Sequence, residues 1–170
     1  MAVMPLPITL SETTLTHLNE LVEDENSRAT EPVEPSRWAL RRVLDELKAS
    51  APMLNRLDET GTLEIGGGKT LKLADLKSFL LTPPVSGNLT LRVGEYTQRR
   101  IERAAAFIEA ATRAQGNPVP WKTCAEWVER IVQESVARSY GGLMSRIFEQ
   151  EEKAAYAPTK EAKPKSHAKP

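Results

Sequence analysis

The chain has 170 residues, no formal net charge and a charged fraction of 27%, which suits one domain or two very small ones. Its one cysteine, Cys124, excludes an internal disulfide bond and a zinc site built from cysteines. No apolar run approaches the roughly 20 residues of a membrane span and prolines break the N-terminal stretch, so we expect a cytoplasmic protein with no membrane partner.

The zero net charge conceals an uneven distribution along the chain. Residues 1–50 carry five Lys or Arg against nine Asp or Glu, whereas residues 88–146 carry nine basic against six acidic side chains. A neutral whole does not argue for a nucleic-acid partner, but a basic second half leaves such a partner open.

The first predicted element is a short strand at residues 5–10, where apolar residues alternate with others. Thr9 would point outward, away from an inner face formed by Leu6, Ile8 and Leu10. Ser11 is a favourable helix cap. The apolar spacing behind it predicts a helix of about three turns, with Leu15, Leu18, Leu21 and Val22 on its inner side.

A polar segment at residues 23–35 predicts a loop, because its acidic residues and prolines cannot offset the cost of ordering by burial. A second helix is predicted after Pro35, and its apolar positions are Trp38, Val43, Leu44 and Leu47. The pair Ala51-Pro52 either interrupts this helix or starts a short successor.

The middle of the chain, residues 58–87, predicts an inserted unit. Residues 62–65 and 69–73 have the composition of two strands, and the three glycines between them predict a hairpin with a glycine tip. A short helix is predicted at residues 75–81, ahead of a linker that contains two prolines.

No enzymatic site emerges from the spacing of reactive residues. The glycine run before Lys69 is not a phosphate-binding loop, because Leu63 stands where the motif needs glycine and a strand follows instead of a helix. His17 and His167 are isolated in sequence, which disfavours a metal site. No spacing picks out a catalytic triad or a carboxylate pair. We therefore expect a protein that is not an enzyme and takes no cofactor.

The second half of the chain opens with another predicted strand. In residues 88–93 polar and apolar side chains alternate, which is typical of a strand with one buried face. The inward set is Leu89, Leu91 and Val93, and the outward set is Asn88, Thr90 and Arg92.

Two helices are predicted after this strand. The first occupies residues 95–114 and ends at Gly116 and the prolines that follow. The second opens at Trp121 and extends to about Gly142, with a further turn or two at residues 143–148. The Ala, Lys and Pro residues that end the sequence predict a disordered tail.

The order strand, helix, proline-containing loop, helix with a tryptophan occurs twice, at about residues 5–47 and 88–136. Residues 8–15 resemble the first part of a ribbon-helix-helix unit of the MetJ and Arc type, and residues 36–44 resemble its second helix. In the second copy, residues 89–93 are the better match to the family's strand.

The resemblance implies a mostly helical α+β fold in which two ribbon-helix-helix-like units form an internal pseudo-dimer, with a small β-hairpin and helix inserted between them. The units would be residues 1–57 and 88–150. The insertion and linker would be residues 58–87, and residues 151–170 would form the disordered Lys/Ala/Pro tail. Pro7 departs from the family's pattern, because it stands where a base-reading side chain is expected.

The same resemblance implies a DNA-binding surface. In the family, outward strand side chains read base edges and the start of each second helix holds a phosphate. The base-reading positions carried over are Thr9, Asn88, Thr90 and Arg92, and the phosphate positions are Ser36, Arg37, Lys122 and Thr123. Arg99, Arg100 and Arg103 would add phosphate contacts. The plainer interpretations are a solvated sheet face, ordinary helix caps and solvated arginines.

The leading hypothesis is a sequence-specific protein that binds double-stranded DNA. It would act as a transcriptional regulator or as a DNA-transfer accessory of a plasmid or other mobile element during conjugation, beside a relaxase or another DNA-processing protein. Self-association stays open. The alternative is a non-enzymatic adaptor, whose acidic first half and basic second half would contact other proteins.

Overall fold

Two strands that are far apart in sequence lie side by side. In a computed structural model that describes residues 2–157, β1 (Val3–Ile8) pairs antiparallel with β4 (Leu89–Gly94). A second antiparallel pair, β2 (Thr62–Gly66) and β3 (Lys69–Lys72), forms the predicted hairpin. The helices are α1 (Glu12–Asn26), α2 (Pro35–Thr60), α3 (Glu95–Ala114) and α4 (Cys124–Tyr156). Helix accounts for 62% of the structure, which confirms the predicted α+β, mostly helical class.

The core lies between the β1–β4 pair, here called the ribbon, and the four helices. Alternate residues of each strand point to this core because side chains of a strand alternate between its two faces. The inner ribbon residues with 0% or 1% exposure are Leu6, Ile8, Leu91 and Val93. Every helix adds a fully buried side chain: Leu18, Val43, Ile101 and Val128 respectively. A single core therefore joins the two halves of the chain.

Helix α1 is longer than predicted, because the acidic run assigned to a loop continues it to Asn26. Asp24 Oδ2 lies 2.7 Å from Arg28 Nη2 and 3.5 Å from Arg146 Nη2. These two guanidinium groups offset the negative charge at the C-terminus of the helix. The loop is correspondingly shorter, and Asn26 closes it. Its side-chain amide donates to the Val33 carbonyl (3.1 Å) and accepts from the Val33 N–H (2.7 Å).

Helix α2 continues past Pro52, so the predicted interruption at residues 51–52 and the separate successor are both wrong. A proline in a helix interior removes one main-chain hydrogen bond and costs about 3 kcal/mol. Beyond it, Leu54 and Leu57 are 8% and 0% exposed. Burying two leucines contributes roughly 1.5–3 kcal/mol each, which offsets the cost of the proline and keeps the helix intact.

The hairpin is confirmed, whereas the helix predicted at residues 75–81 is wrong. One 3-10 turn at Leu73–Asp75 is followed by an irregular segment that reaches residue 88. Leu81 is 3% exposed, and its N–H donates to Glu102 Oε2 (2.6 Å) on α3. Because one or two helical turns are not stable by themselves, packing of Leu81 against α3 decides the local conformation.

Helix α3 occupies the predicted residues, but α4 begins at Cys124, after its N-cap Thr123, and continues to Tyr156. The glycines at residues 141–142 do not end it. Leu143, just beyond them, is 6% exposed, so burial against the core stabilises the helix past its weakest point. The predicted disordered tail is helical at residues 151–156, and its last part lies outside the described residues.

Candidate nucleic-acid interface

The ribbon has an inner face of buried apolar side chains and an outer face that carries prolines, a threonine and an arginine. Leu6 lies opposite Leu91 and both are completely buried. The outward pairs are Val3 with Gly94, Pro5 with Arg92, and Pro7 with Thr90. Alternate residues of an antiparallel strand exchange hydrogen bonds with the partner strand. The two prolines, which lack an N–H, fit the intervening positions, where no donor is needed.

Two predicted base-reading residues, Thr90 and Arg92, are exposed on the outer face of the ribbon. Within residues 2–157, no carboxylate lies in ion-pair distance of Arg92. An arginine of this kind can donate to both O6 and N7 of guanine, and a threonine hydroxyl can bond to several base edges. These two residues have the chemistry and the exposure that base recognition requires.

Thr9 follows the last residue of β1 and is also exposed. Its N–H donates to Glu129 Oε2 on α4, at 3.1 Å. This bond places a carboxylate beside one of the predicted base-reading positions. A negative charge there opposes the approach of a DNA phosphate, which makes this end of the ribbon unlike the end that carries Arg92.

Asn88 is placed differently from the prediction, because its side chain is engaged within the protein. The amide accepts from the Leu10 N–H (2.9 Å) and donates to the Leu10 carbonyl (2.6 Å), so it extends the pairing between the two strands. The preceding Gly87 lies so close to β1 that a Cβ there would be 2.4 Å from the Ile8 carbonyl oxygen. The Asn88 amide therefore positions the strand and is not free to pair with adenine.

The start of α2 lies beside Arg92. Pro35 occupies its first turn, and the N-cap residue Glu34 makes no side-chain capping bond to any described residue. Ser36 is half-buried and Arg37 is exposed. A surface hollow brings this helix start together with the ribbon, and it is lined by Glu34, Ser36, Arg37, Leu40, Arg41, Leu44 and Arg92. The structure thus unites one predicted phosphate position with one predicted base-reading position.

The start of α4 is arranged in the opposite way. Thr123 Oγ1 accepts from the Glu126 N–H (3.1 Å), and Glu126 Oε2 accepts from the Lys122 N–H (2.7 Å). Thr123 thus satisfies one free N–H group of the helix, and Glu126 adds a carboxylate to the first turn and binds the main-chain N–H of the residue before the N-cap. Glu126 therefore places a carboxylate beside the phosphate position predicted at Lys122 and Thr123, and its negative charge opposes the approach of a phosphate.

The three arginines predicted on α3 all have partners inside the protein. Arg99 lies 2.6 Å from Glu95, Arg103 pairs with Asp58 of α2, and the Arg100 guanidinium lies 5.6 Å from the centre of the Tyr96 ring. Exposed pairs of this kind contribute little to stability, typically 0–1 kcal/mol. They nevertheless reduce the net positive charge that α3 presents to a polyanion.

Other reactive groups in the described chain are engaged in packing. Burial, together with the nearby Glu102 carboxylate, raises the pKa of the Cys124 thiol to about 12, so the thiol is not a nucleophile at neutral pH. The Lys69 ammonium beside the glycine tip donates to the Ala114 carbonyl (2.8 Å). The His17 ring stacks on Tyr140 at 3.6 Å. Residues 2–157 hold no group of three or more metal-binding side chains, and His167 lies outside that range.

Sequence reasoning missed two side chains that define this surface. Arg41 follows Arg37 by one helical turn and so shares its face of α2, where it lies 3.8 Å from Glu25. Spacing alone could have identified it. Glu129 had no comparable signal, because its proximity to Thr9 depends on the packing of α4 against β1.

Comparison with protein-family models, with curated proteins and with solved structures gives no match. The resemblance to ribbon-helix-helix proteins therefore depends on the residues alone. Among the helices of residues 2–157, none combines the length and the apolar character needed to cross a membrane.

Proposed function

We propose that the chain is a sequence-specific protein that binds double-stranded DNA, with the outer face of the ribbon in the major groove. In this proposal the two strand-helix-helix units act as an internal pseudo-dimer of ribbon-helix-helix type. The observation that supports it most is the position of Arg92. This residue is exposed on the ribbon, lies beside the start of α2, and has no ion-pair partner among the described residues.

The dimensions of the ribbon suit this mode of binding. The major groove is about 12 Å wide and admits a two-stranded ribbon. The outward neighbours of Arg92 are the short side chains of Pro5, Pro7 and Thr90, so the backbone can approach the floor of the groove. Arg92 then reaches farthest toward the bases, while Arg37 and the first turn of α2 lie toward the phosphates.

A protein of this kind would act as a transcriptional regulator or as an accessory that helps a relaxase or another DNA-processing protein at its site. Both roles depend on binding one DNA sequence in preference to others. Neither role requires a catalytic group on this chain.

The test is DNA binding by the full-length protein, measured by fluorescence anisotropy on duplexes selected from a random library. Affinity should fall steeply as salt rises from about 50 to 200 mM, because phosphate contacts release counterions. Arg92→Ala should weaken binding to the selected duplex by roughly 5- to 150-fold, the equivalent of 1–3 kcal/mol for a bidentate base contact.

Arg56→Ala is the matched control, because it removes the same charge from an exposed position of α2. Arg56 follows Arg41 by 15 residues, or roughly 22 Å along the helix axis. Equal losses in the two variants would indicate a general charge effect and contradict base recognition by Arg92. An absence of binding to any duplex at low salt would overturn the proposal.

The second candidate function, a protein-interaction adaptor, has its own supporting observation. Leu80, Val85 and Phe148 are 72%, 103% and 62% exposed, and large exposed apolar side chains often contribute to protein interfaces. This candidate predicts no affinity for DNA and a stable complex on pull-down from the native host. Replacing Leu80 and Val85 with serine should abolish that complex, whereas Arg92→Ala should leave it intact.

A further inference from the structure

The two ends of the ribbon can be compared position by position. Thr9 and Arg92 are equivalent, because each lies three residues before the first residue of the next helix, Glu12 of α1 or Glu95 of α3. In the strand register, Pro7 and Thr90 lie opposite each other at the centre, and Thr9 and Arg92 lie beyond them in opposite directions. One end of the ribbon thus carries a cation where the other carries a hydroxyl.

The helix starts beside the two ends differ in the same direction. Arg37 is the third residue after the N-cap of α2, and Glu126 is the third residue after the N-cap of α4. Equivalent positions therefore carry opposite charges. Glu129 adds a second carboxylate next to Thr9. The hollow beside Arg92 contains Arg41 and also the N-cap residue Glu34, and the α4 residue equivalent to Arg41 is Arg130.

Two polar groups at the Thr9 end, the Thr9 main-chain N–H and the Asn88 side-chain amide, are engaged internally. The Thr9 N–H is bonded to Glu129, and the Asn88 amide is bonded to the Leu10 main chain. On the outer face, Pro5 and Pro7 offer no hydrogen-bonding side chain. Base recognition by hydrogen-bonding side chains therefore falls to Thr90 and Arg92 on β4 and to the exposed Thr9 hydroxyl, and among these three Arg92 alone is a cation.

We infer that this surface reads DNA asymmetrically, an inference that rests on the proposed function. The target is a non-palindromic sequence, with a guanine under Arg92 and close phosphate contact at the start of α2. At the other end, which carries Thr9, the carboxylates of Glu126 and Glu129 repel the DNA phosphates. That end therefore lies farther from the phosphates and shows little preference among bases. The orientation of the protein on its site is thereby fixed.

The distance between Thr9 and Arg92 along the ribbon can be expressed as a number of base pairs. Thr9 is two positions along the chain from Pro7 and Arg92 is two positions from Thr90, in opposite directions along the ribbon. At about 3.3 Å per residue, Thr9 and Arg92 lie roughly 13 Å apart along the strands. With base pairs about 3.4 Å apart, this corresponds to about four base pairs.

The experiment is selection from a random duplex library with the full-length protein and two variants. The natural chain should select a motif with a strong preference for guanine at one position in one half and little base preference in the other half. Arg92→Ala should lose that guanine preference. The double variant Thr9→Arg with Glu129→Gln, which keeps an acceptor for the Thr9 N–H, should select a guanine on each strand, about four base pairs apart.

The outcomes separate this inference from the function on which it rests. Selection of a palindrome with two equal halves by the natural chain would overturn asymmetric reading and leave DNA binding intact. A double variant that folds, as judged by its circular dichroism, and still selects one guanine would also overturn it. Failure to enrich any duplex would overturn both the inference and the proposed function.

Discussion

Replacing Leu91 with alanine tests the register of the ribbon, on which the outward position of Arg92 depends. Leu91 is completely buried opposite Leu6. A buried Leu→Ala substitution costs 2–5 kcal/mol, because transfer free energy is lost and a cavity remains. We expect a loss of about 3 kcal/mol, a large part of the 5–15 kcal/mol that holds a domain folded.

The matched control is Thr90→Ala, one residue earlier and on the exposed face. Surface substitutions of this kind usually change stability by less than about 0.5 kcal/mol. The assay is equilibrium urea denaturation followed by far-UV circular dichroism, with thermal denaturation as a second measurement. At about 2–4 °C per kcal/mol for a chain of this size, Leu91→Ala should lower Tm by roughly 6–12 °C.

The comparison of the two variants decides the register. A slip of one residue moves every inward side chain of a strand to the opposite face. If Thr90→Ala destabilised the protein as much as Leu91→Ala, or more, β4 would be turned over relative to the helices. Arg92 would then point into the core, and the reasoning that places it in the major groove would fail.

The remaining predictions concern the ends of the ribbon and the buried thiol. Asn88→Ala should lower the free energy of unfolding in urea by about 1–3 kcal/mol, because two hydrogen bonds to Leu10 are lost. An unchanged free energy of unfolding would indicate that the Asn88 side chain is not bonded to Leu10. Gly87→Ala should be destabilising by about 1–3 kcal/mol in the same assay, since its Cβ would lie 2.4 Å from the Ile8 carbonyl oxygen. Thr123→Ala should cost about 1 kcal/mol by removing the α4 cap, whereas Thr13→Ala, at an exposed position of α1, should cost less. Cys124 should resist iodoacetamide at neutral pH until urea unfolds the chain, because burial raises its pKa to about 12. The unfolded thiol loses its proton first as pH rises above 9, so stability should fall between pH 9 and about 12 and should not depend on this group below pH 9.

The parts of the fold that could be predicted are those in which local pattern and burial agree. The alternation at Leu89, Leu91 and Val93 predicts a strand because one face of that strand is buried. The bounds of α3 follow from its apolar spacing and from Gly116, which has a φ of 87°. Pro52 and the glycines at residues 141–142 misled the prediction, because tertiary packing overrides weak local propensities.

The candidate site, like the fold, could be predicted from the sequence only in part. Thr90 and Arg92 follow from strand alternation alone. A polar residue at a strand end can bond to a partner or to its own chain, and sequence does not distinguish the two for Asn88. Thr123 and Glu126 have the sequence spacing of a capping box, although the prediction assigned the same turn to phosphate. In the structure the Glu126 carboxylate accepts instead from the Lys122 N–H.

The pairing of β1 with β4 also has a consequence during synthesis. Ile8 and Leu89 are neighbours in space but 81 residues apart in the chain. At about 5–20 residues per second, β1 leaves the ribosome roughly 4–16 seconds before its partner is complete. During that interval an unpaired strand invites association with other nascent chains, and prolines at two of its positions make it a poor template for them. The two prolines of β1, which offer no hydrogen-bonding side chain on the outer face of the ribbon, would thus protect the newly made chain from aggregation.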